Sequence, residues 1–590
     1  MALSKKFFNK LSILITLFIL LSLSGCLSEW HGNLAKIVIS FGSANRAAYD
    51  PNDSNTHQSL EHKIVLTSAT ETKNFNIKGG TTFEAHVAPG DWNVLVHSYS
   101  EDGIYAAGSK DVVLKIGQDN RETIDMYQAH LVTFDSNDGS PVEEQIIIHD
   151  KFVNKPNPTR PGYSFEGWYY LDDNNTGTLF DFKQTITKNF ILSAKWEIIT
   201  KVPGDTLAAK LEWLSSNAVH DQTYDIPVSQ NESLAPQNLY YRGKTIGINL
   251  SGENEMRTIS LSGNGSLFTI GSNVTLQLNE KITLKGHTSN NASLITINSG
   301  GSLIMNKDSK ITENSNIDGW QAGVYIQENA KFTMNGGEIS YNIAQGRGGV
   351  KVEGTFIMED GNISYNEARG NSGGGVWIQG GTFTMNGGII SFNTAEGEGG
   401  GEGGGVHMYD GIHDTNPFSG TFTMTGGEIS NNEAWGSGGV SIHHHGNFTM
   451  SDTAKISGNI ATEWDGGGVK LHEGTTFTMN GGEISGNKAK ENGGGGVLVE
   501  GTFTMNSGKI YGNTALYGGG VRVWNGIFDK KGNGGTIYNN IILDDRMGGT
   551  SVSADSEIIS GFFKYRNTEI KPNEKLYYDG TDVSSAEGFD

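Results

Sequence analysis

GTFTMNSGKIYGNTALYGGGVRV, residues 501–523, holds a strict order of small, apolar and turn residues that determines the architecture of most of the chain. Phe503 and Met505 alternate with threonine and asparagine, the period of a half-buried strand. Ile510 follows seven residues after the phenylalanine, Asn513 three further on and Ala515 two beyond that. A glycine run then leads into Val521 and Val523. The same order recurs upstream. The Gly-Val valines are Val324, Val350, Val376, Val406, Val440, Val469, Val497 and Val521, in steps of 24 to 34 residues. Between them stand Phe332, Phe356, Phe383, Phe422, Phe448, Phe477 and Phe503, and each unit repeats the later isoleucine, asparagine and alanine.

One such unit carries three short strands and cannot bury its apolar positions alone, whereas stacked units share a continuous core. The pattern predicts a mostly β chain whose main body, residues 222–565, is a right-handed parallel β-helix. Three strands per coil are expected, with about twelve coils stacked at about 4.8 Å. Val, Phe, Met and Ile point inward. Glycine supplies corner conformations without a Cβ penalty. The asparagine is expected to adopt the left-handed conformation itself and to stack its amide along the axis, and the alanine to fit a tight corner. Leu207, Leu211 and Leu214 fall at helical spacing after Asp205 or Thr206, so residues 198–221 read as a linker and a helix capping the open end of the core. Ile-x-x-Asn followed by Gly-Gly-Val resembles the F-x-x-N and G-G-A-[ILV] repeats of bacterial polymorphic outer-membrane proteins. An aliphatic residue replaces their phenylalanine, and no C-terminal membrane barrel is recognised. The resemblance implies a surface β-helix concerned with adhesion, of the pectin-lyase-like shape. The Phe-Thr-Met-x-Gly-Gly-x-Ile-Ser units also resemble those of repeat-rich bacterial surface lipoproteins.

The N-terminus reads differently. Lys5, Lys6 and Lys10 precede an apolar run from Leu11 to Leu23, the form of a secretory signal peptide over residues 1–25. Leu23-Ser24-Gly25-Cys26 resembles the bacterial lipobox. That resemblance implies cleavage before Cys26, a diacylglycerol on its thiol and an acyl chain such as palmitate on its amine. Several chains would hold the protein on the membrane where one would not. Cys26 is the sole cysteine, so no intrachain disulfide is available. Short β-rich runs between turn signals over residues 26–129 fit an Ig-like β-sandwich. In residues 130–197, Val132-Thr133-Phe134-Asp135-Ser136-Asn137, the string from Pro158 to Tyr169 and Leu192-Ser193-Ala194-Lys195-Trp196 strongly resemble the internalin-type B-repeat, a small β-grasp-like spacer of surface proteins. Asp138 stands where that family usually has glycine. Residues 566–590 read as a C-terminal cap and tail.

Net charge is −22, from 43 basic and 65 acidic residues, which excludes a nucleic-acid partner because phosphate binding needs clustered cations. The conserved order of the repeat is structural, so function is sought where letters vary. One and three residues after each Gly-Val valine, variable side chains are expected to face outward together. Trp377, His407, Tyr409, His443, Lys470, His472, Arg522 and Trp524 form the candidate ligand face, since aromatic rings on a rigid sheet suit carbohydrate or protein contact. His443, His444 and His445, with His472 on the neighbouring coil, suggest metal, but no cysteine helps and no carboxylate partner is evident. They are read as a solvated face, with no metal and no cofactor. Catalytic residues are not assigned: the adjacent acids Asp172-Asp173 and Asp544-Asp545 alternate on a strand and make no ready acid/base pair. The expectation is a non-enzymatic, adhesin-like lipoprotein of the outer membrane or cell surface. Its partners would be the membrane, through lipid, and a surface glycan or a host or matrix protein. A purely structural stalk and a β-helix polysaccharide lyase or hydrolase are the alternatives.

Overall fold

A computed structural model describes residues 33–43, 58–171, 177–316, 318–320, 323–370, 372–397, 400–409, 420–516, 518–524, 526–530, 535–543, 575–578 and 581–582. Cys26, the two acidic pairs and most of the C-terminal tail lie outside them. The chain divides into two compact units, Met1–Glu197 and Ile198–Asp590. Among the described residues no helix is long and apolar enough to cross a membrane.

The described part of the first unit is built mainly from strands. Ala35–Ser43 pairs antiparallel with Thr82–Val87 and parallel with the start of Asn120–Asp135. Glu61–Thr67 lies between Thr72–Lys78 and Gly90–Ser100, and the last of these pairs with Gly103–Leu114. Alternating residues from both groups, among them Ile37, Ile39, Phe83, Ile64, Trp92 and Val94, share one core. The 16-residue strand Asn120–Asp135 then runs straight through the boundary expected at 129/130. Its second half enters another core, around Trp168, Phe134 and Leu192. Trp168 is fully buried and its indole N–H donates to Pro156 O at 2.8 Å, so the ring packs without leaving a polar atom unpaired. Asp138, in the position where glycine was expected, adopts φ +65° and accepts from Arg160 at 3.2 Å. A short polar side chain tolerates that left-handed turn.

The second unit is a parallel β-solenoid. Its Gly-Val sheet has 11 parallel strands among the described residues, from Gln237–Leu239 to Val521–Val523. Phe stacks on Phe coil after coil from Phe332 to Phe528, with ring centroids 4.6 to 4.9 Å apart and nearly parallel planes. The in-register parallel pairing dictates that stack: Phe356 pairs with Phe383, and Phe383 with Phe422. The Phe-x-Met and Ile strands belong to one large sheet and fuse into single ten-residue strands in several coils, such as Lys331–Ser340 and Thr502–Tyr511. What the pattern presented as an alanine corner is a further two-residue strand, stacked in a nine-stranded sheet of its own. Each coil of the regular array thus passes through three parallel sheets, and a fourth strand appears only in coils where the Phe-x-Met and Ile segments stay separate.

The asparagine does not take the left-handed conformation. The residue before it does: Tyr341, Tyr365, Phe392 and Asn431 have φ of 54° to 57°. That turn directs the asparagine inward, where it is fully buried. Each amide donates to the side-chain oxygen of the next coil's asparagine at 2.9 to 3.0 Å, from Asn342 through Asn366, Asn393, Asn432, Asn459, Asn487 and Asn513 to Asn540. At the other end the helix Leu207–Asn217, capped by Thr206 whose hydroxyl accepts from Ala209 N, buries Leu207, Leu211 and Leu214 against the first coils.

Candidate functional site

The outer side of the Gly-Val sheet is not the open surface that strand alternation implies. Residues one after the valine are covered: Trp377, His407 and Lys470 retain 3%, 3% and 6% of their exposure. In these three coils the glycine three before the valine turns the chain. Gly373, Gly403 and Gly466 take φ of +77°, +64° and +81° and fold the preceding segment back over the strand. A Cβ on Gly466 would lie 2.7 Å from Lys470 Cβ. The residues three after the valine form the accessible rim. Tyr409, His443, His472 and Glu500 are half-buried there and Trp524 is exposed. Arg522 is half-buried, its guanidinium over the Trp524 ring.

The fold-back also carries a carboxylate into the sheet's outer layer. Glu402, four before Val406, is 3% exposed. Its Oε1 accepts from Lys470 Nζ at 2.6 Å. Its Oε2 accepts from Ser441 Oγ at 2.7 Å and lies 2.5 Å from His443 Nε2 and 2.9 Å from His472 Nε2. These partners come from the next two coils, because Val406 stacks on Val440 and Val440 on Val469. His472 Nδ1 in turn lies 3.3 Å from Glu500 Oε2. The His443 and His472 rings stack at 3.5 Å, and His407, Tyr409 and Trp377 extend the cluster. Asp465 occupies the slot of Glu402 in a later coil and accepts from Arg522 at 2.8 Å. An acid four before one valine thus pairs with a cation one after the valine two coils on.

The electrostatics follow from burial and pairing. Burial would raise the Glu402 carboxyl, but hydrogen bonds from His443 and His472 and the charge of Lys470 hold it well below the usual range. Burial pushes His407 well below the ordinary histidine value, and the neighbouring His443 adds to this. Burial also lowers His443 despite its bond to Glu402. His472 is raised: burial opposes its charge, but Glu402 and Glu500 together outweigh it. His407 Nδ1 and Trp377 Nε1 are buried without a hydrogen-bond partner.

The residues read from the sequence as one outward face lie on one side of the Gly-Val sheet, but several of them are buried there. Trp377, His407, Tyr409, His443, Lys470 and His472 come together around one carboxylate, whereas Arg522 and Trp524 make a separate pair with Asp465. The solvated face holds for His444 and His445, which are exposed, but not for His443. Glu402, Ser441 and Glu500 complete the cluster. Glu402 was hidden within a glycine run, although Ser372-Gly-Gly-Gly-Val376 and Asp465-Gly-Gly-Gly-Val469 mark the same position with a polar residue.

Residues 130–195 match the Listeria-Bacteroides repeat domain, a surface-protein repeat. Over 71 residues the chain is 39% identical to a protein of Evansella cellulosilytica described as "Putative membrane protein", a match covering 12% of this chain and 10% of that protein. No solved structure matches. A surface-protein repeat beside a β-solenoid fits a cell-surface protein.

Proposed function

We propose that this is an adhesin-like lipoprotein, anchored to the cell envelope through lipid on Cys26, that binds carbohydrate or protein through the rim of its Gly-Val sheet. The internalin-type reading of residues 130–197 as a spacer belongs to the same proposal. One observation carries it: Tyr409, His443 and His472 stand side by side on three stacked coils, above a buried layer that fixes their positions. Rigid aromatic and polar groups held by a supporting layer lose little entropy on binding. Nothing in this arrangement pairs two carboxylates across a cleft as glycoside hydrolysis requires, so binding without turnover is the reading favoured here.

The test is retention of the purified protein on glycan and matrix-protein arrays, with released products assayed in the same wells. Retention without products, lost in Tyr409→Ala, supports the adhesin. Released oligosaccharides would replace it with an enzyme, and no retention on any surface would leave the structural stalk. Metabolic labelling with an alkyne palmitate, compared with Cys26→Ser, tests the anchor separately: label that survives the substitution would refute it.

A further inference from the structure

The arrangement around Glu402 brings two imidazole nitrogens and a carboxylate oxygen to one point. One carboxylate oxygen, Oε2, meets Ser441 Oγ, His443 Nε2 and His472 Nε2 at 2.5 to 2.9 Å, while Lys470 occupies the other oxygen. For both histidines to donate to Oε2, each Nε2 must carry the hydrogen. His472 Nδ1 also faces the Glu500 carboxylate at 3.3 Å, so a hydrogen on both of its nitrogens makes that ring a cation. Charging both rings is opposed by their stacking at 3.5 Å. One charged ring beside a neutral His443 satisfies these contacts, and a divalent cation is the other species that two imidazole lone pairs and a carboxylate lone pair meeting at one point can hold.

We propose that Glu402, His443 and His472 form a binding site for a divalent transition cation of the zinc class. Their donor atoms lie within 4.8 Å of one another. Two imidazoles and one carboxylate are the ligand set of an open, three-ligand zinc site. A tetrahedral site with bonds of about 2.0–2.1 Å needs donors about 3.3 Å apart. The histidines reach this by a small outward rotation, since they keep 19% and 21% of side-chain exposure and the fourth position opens to solvent. The surroundings supply the orienting contacts such sites use. Glu500 holds His472 through the nitrogen that does not ligate, and Lys470 and Ser441 hold the carboxylate. His407, with its Nδ1 buried and unpartnered, adjoins His443 and keeps that side of the site occupied by a neutral ring. The site is independent of whether the rim binds a glycan. It reverses the expectation from sequence that the histidine run holds no metal.

The experiment is Zn²⁺ titration of the full chain by calorimetry after chelator treatment, with Co²⁺ absorption reporting the geometry. The expected result is one Zn²⁺ per chain, intense visible Co²⁺ bands of a four-coordinate site, and affinity that falls as pH drops and the histidines take up protons. Glu402→Gln and His472→Ala should each abolish the bands. Glu500→Gln should weaken binding about 10- to 100-fold while leaving the bands in place. The double variant His444→Ala/His445→Ala, which removes the exposed neighbours and none of the three ligands, should bind unchanged. Should Glu402→Gln fail to fold, His472→Ala and Glu500→Gln, on the half-exposed rim, still decide the matter. Absence of one-to-one binding, or binding lost with His444 and His445 and kept in His472→Ala, would overturn the site and leave a histidine run that captures metal adventitiously.

Discussion

Replacing Asn432 by alanine should do more damage than its size suggests, and the structure gives the amount. Asn432 is fully buried, and its Oδ1 accepts from both the backbone N–H and the side-chain amide of Asn393, each at 3.0 Å. Its own Nδ2 donates to Ile390 O at 2.9 Å and to Asn459 Oδ1 at 3.0 Å. Alanine leaves the Asn393 N–H without a partner, while the Ile390 carbonyl keeps its place in the parallel ladder to the next coil and Asn393 Nδ2 keeps only its bond to Ile363 O. Asn459 Oδ1 is spared, because the Asn432 backbone N–H also donates to it. At about 1–3 kcal/mol for the one group left unsatisfied and about 0.5–1.5 kcal/mol for each of the three other bonds lost, the expected loss is about 3–7 kcal/mol. A stacked array need not unfold in one step, so a single melting midpoint would blur this local loss. Native-state hydrogen exchange resolves it coil by coil. Amides of the coils holding Asn393, Asn432 and Asn459 should exchange at least about 100-fold faster, since about 1.4 kcal/mol is a factor of ten. Thr423→Ala, an outward position on the same coil, should change exchange by less than about 0.5 kcal/mol. If Asn432→Ala shifted those amides by under about 1 kcal/mol, the asparagine ladder would be a consequence of stacking and not a cause of it.

Three further outcomes follow from the same geometry. Gly466→Ala should cost about 1–3 kcal/mol in thermal or urea unfolding, because φ of +81° and a 2.7 Å approach to Lys470 Cβ leave no room for a methyl group. A neutral result would mean the fold-back over the sheet is free to move. Tyr365 sits at φ +57° but stacks on Tyr341 and Phe392 at 5.1 and 5.2 Å. Tyr365→Gly should therefore stay within about 1 kcal/mol of the parent, relief of backbone strain offsetting the lost stacking. Tyr365→Val should be clearly less stable than Tyr365→Gly, and the reverse order would refute the strain argument. For pH, the depressed carboxyl of Glu402 contributes stability above the ordinary carboxylate range near 4.5, and this is lost as pH falls through its lower folded-state value. His407 acts in the same direction, because its folded-state value lies below 6.5 and acid must charge a buried ring. Melting midpoint against pH should therefore fall less steeply on the acid side in Glu402→Gln than in the parent, and parallel curves would contradict the linkage.

The division between what could be read from the letters and what could not has a physical basis. A core position is shared with the coil above and below, so each coil demands the same residue and the demand is printed many times. Phe383, Ile390 and Asn393 are legible because Phe422, Ile429 and Asn432 answer them in register. The strand at the alanine escaped because it spans two residues, too few for any period to register. The cluster around Glu402 escaped for the opposite reason: it is made where the repeat departs from itself. Glycine runs ordinarily signal loops, and the same composition serves a loop that projects and one that folds back over the sheet. Only the left-handed turn at Gly403 decides between them, and that turn puts an acid beneath His443 and His472, 41 and 70 residues further along the chain. A Ser, Glu or Asp four residues before Val376, Val406 or Val469 is the trace that such a fold-back leaves in sequence. An acid there should be paired with a histidine or cation on later coils wherever the glycine behind it must adopt positive φ. Asp465 and Arg522 obey that rule without any histidine. The slot is therefore a general means of burying charge on this solenoid, and Glu402 is the instance in which two imidazoles converge on the buried acid.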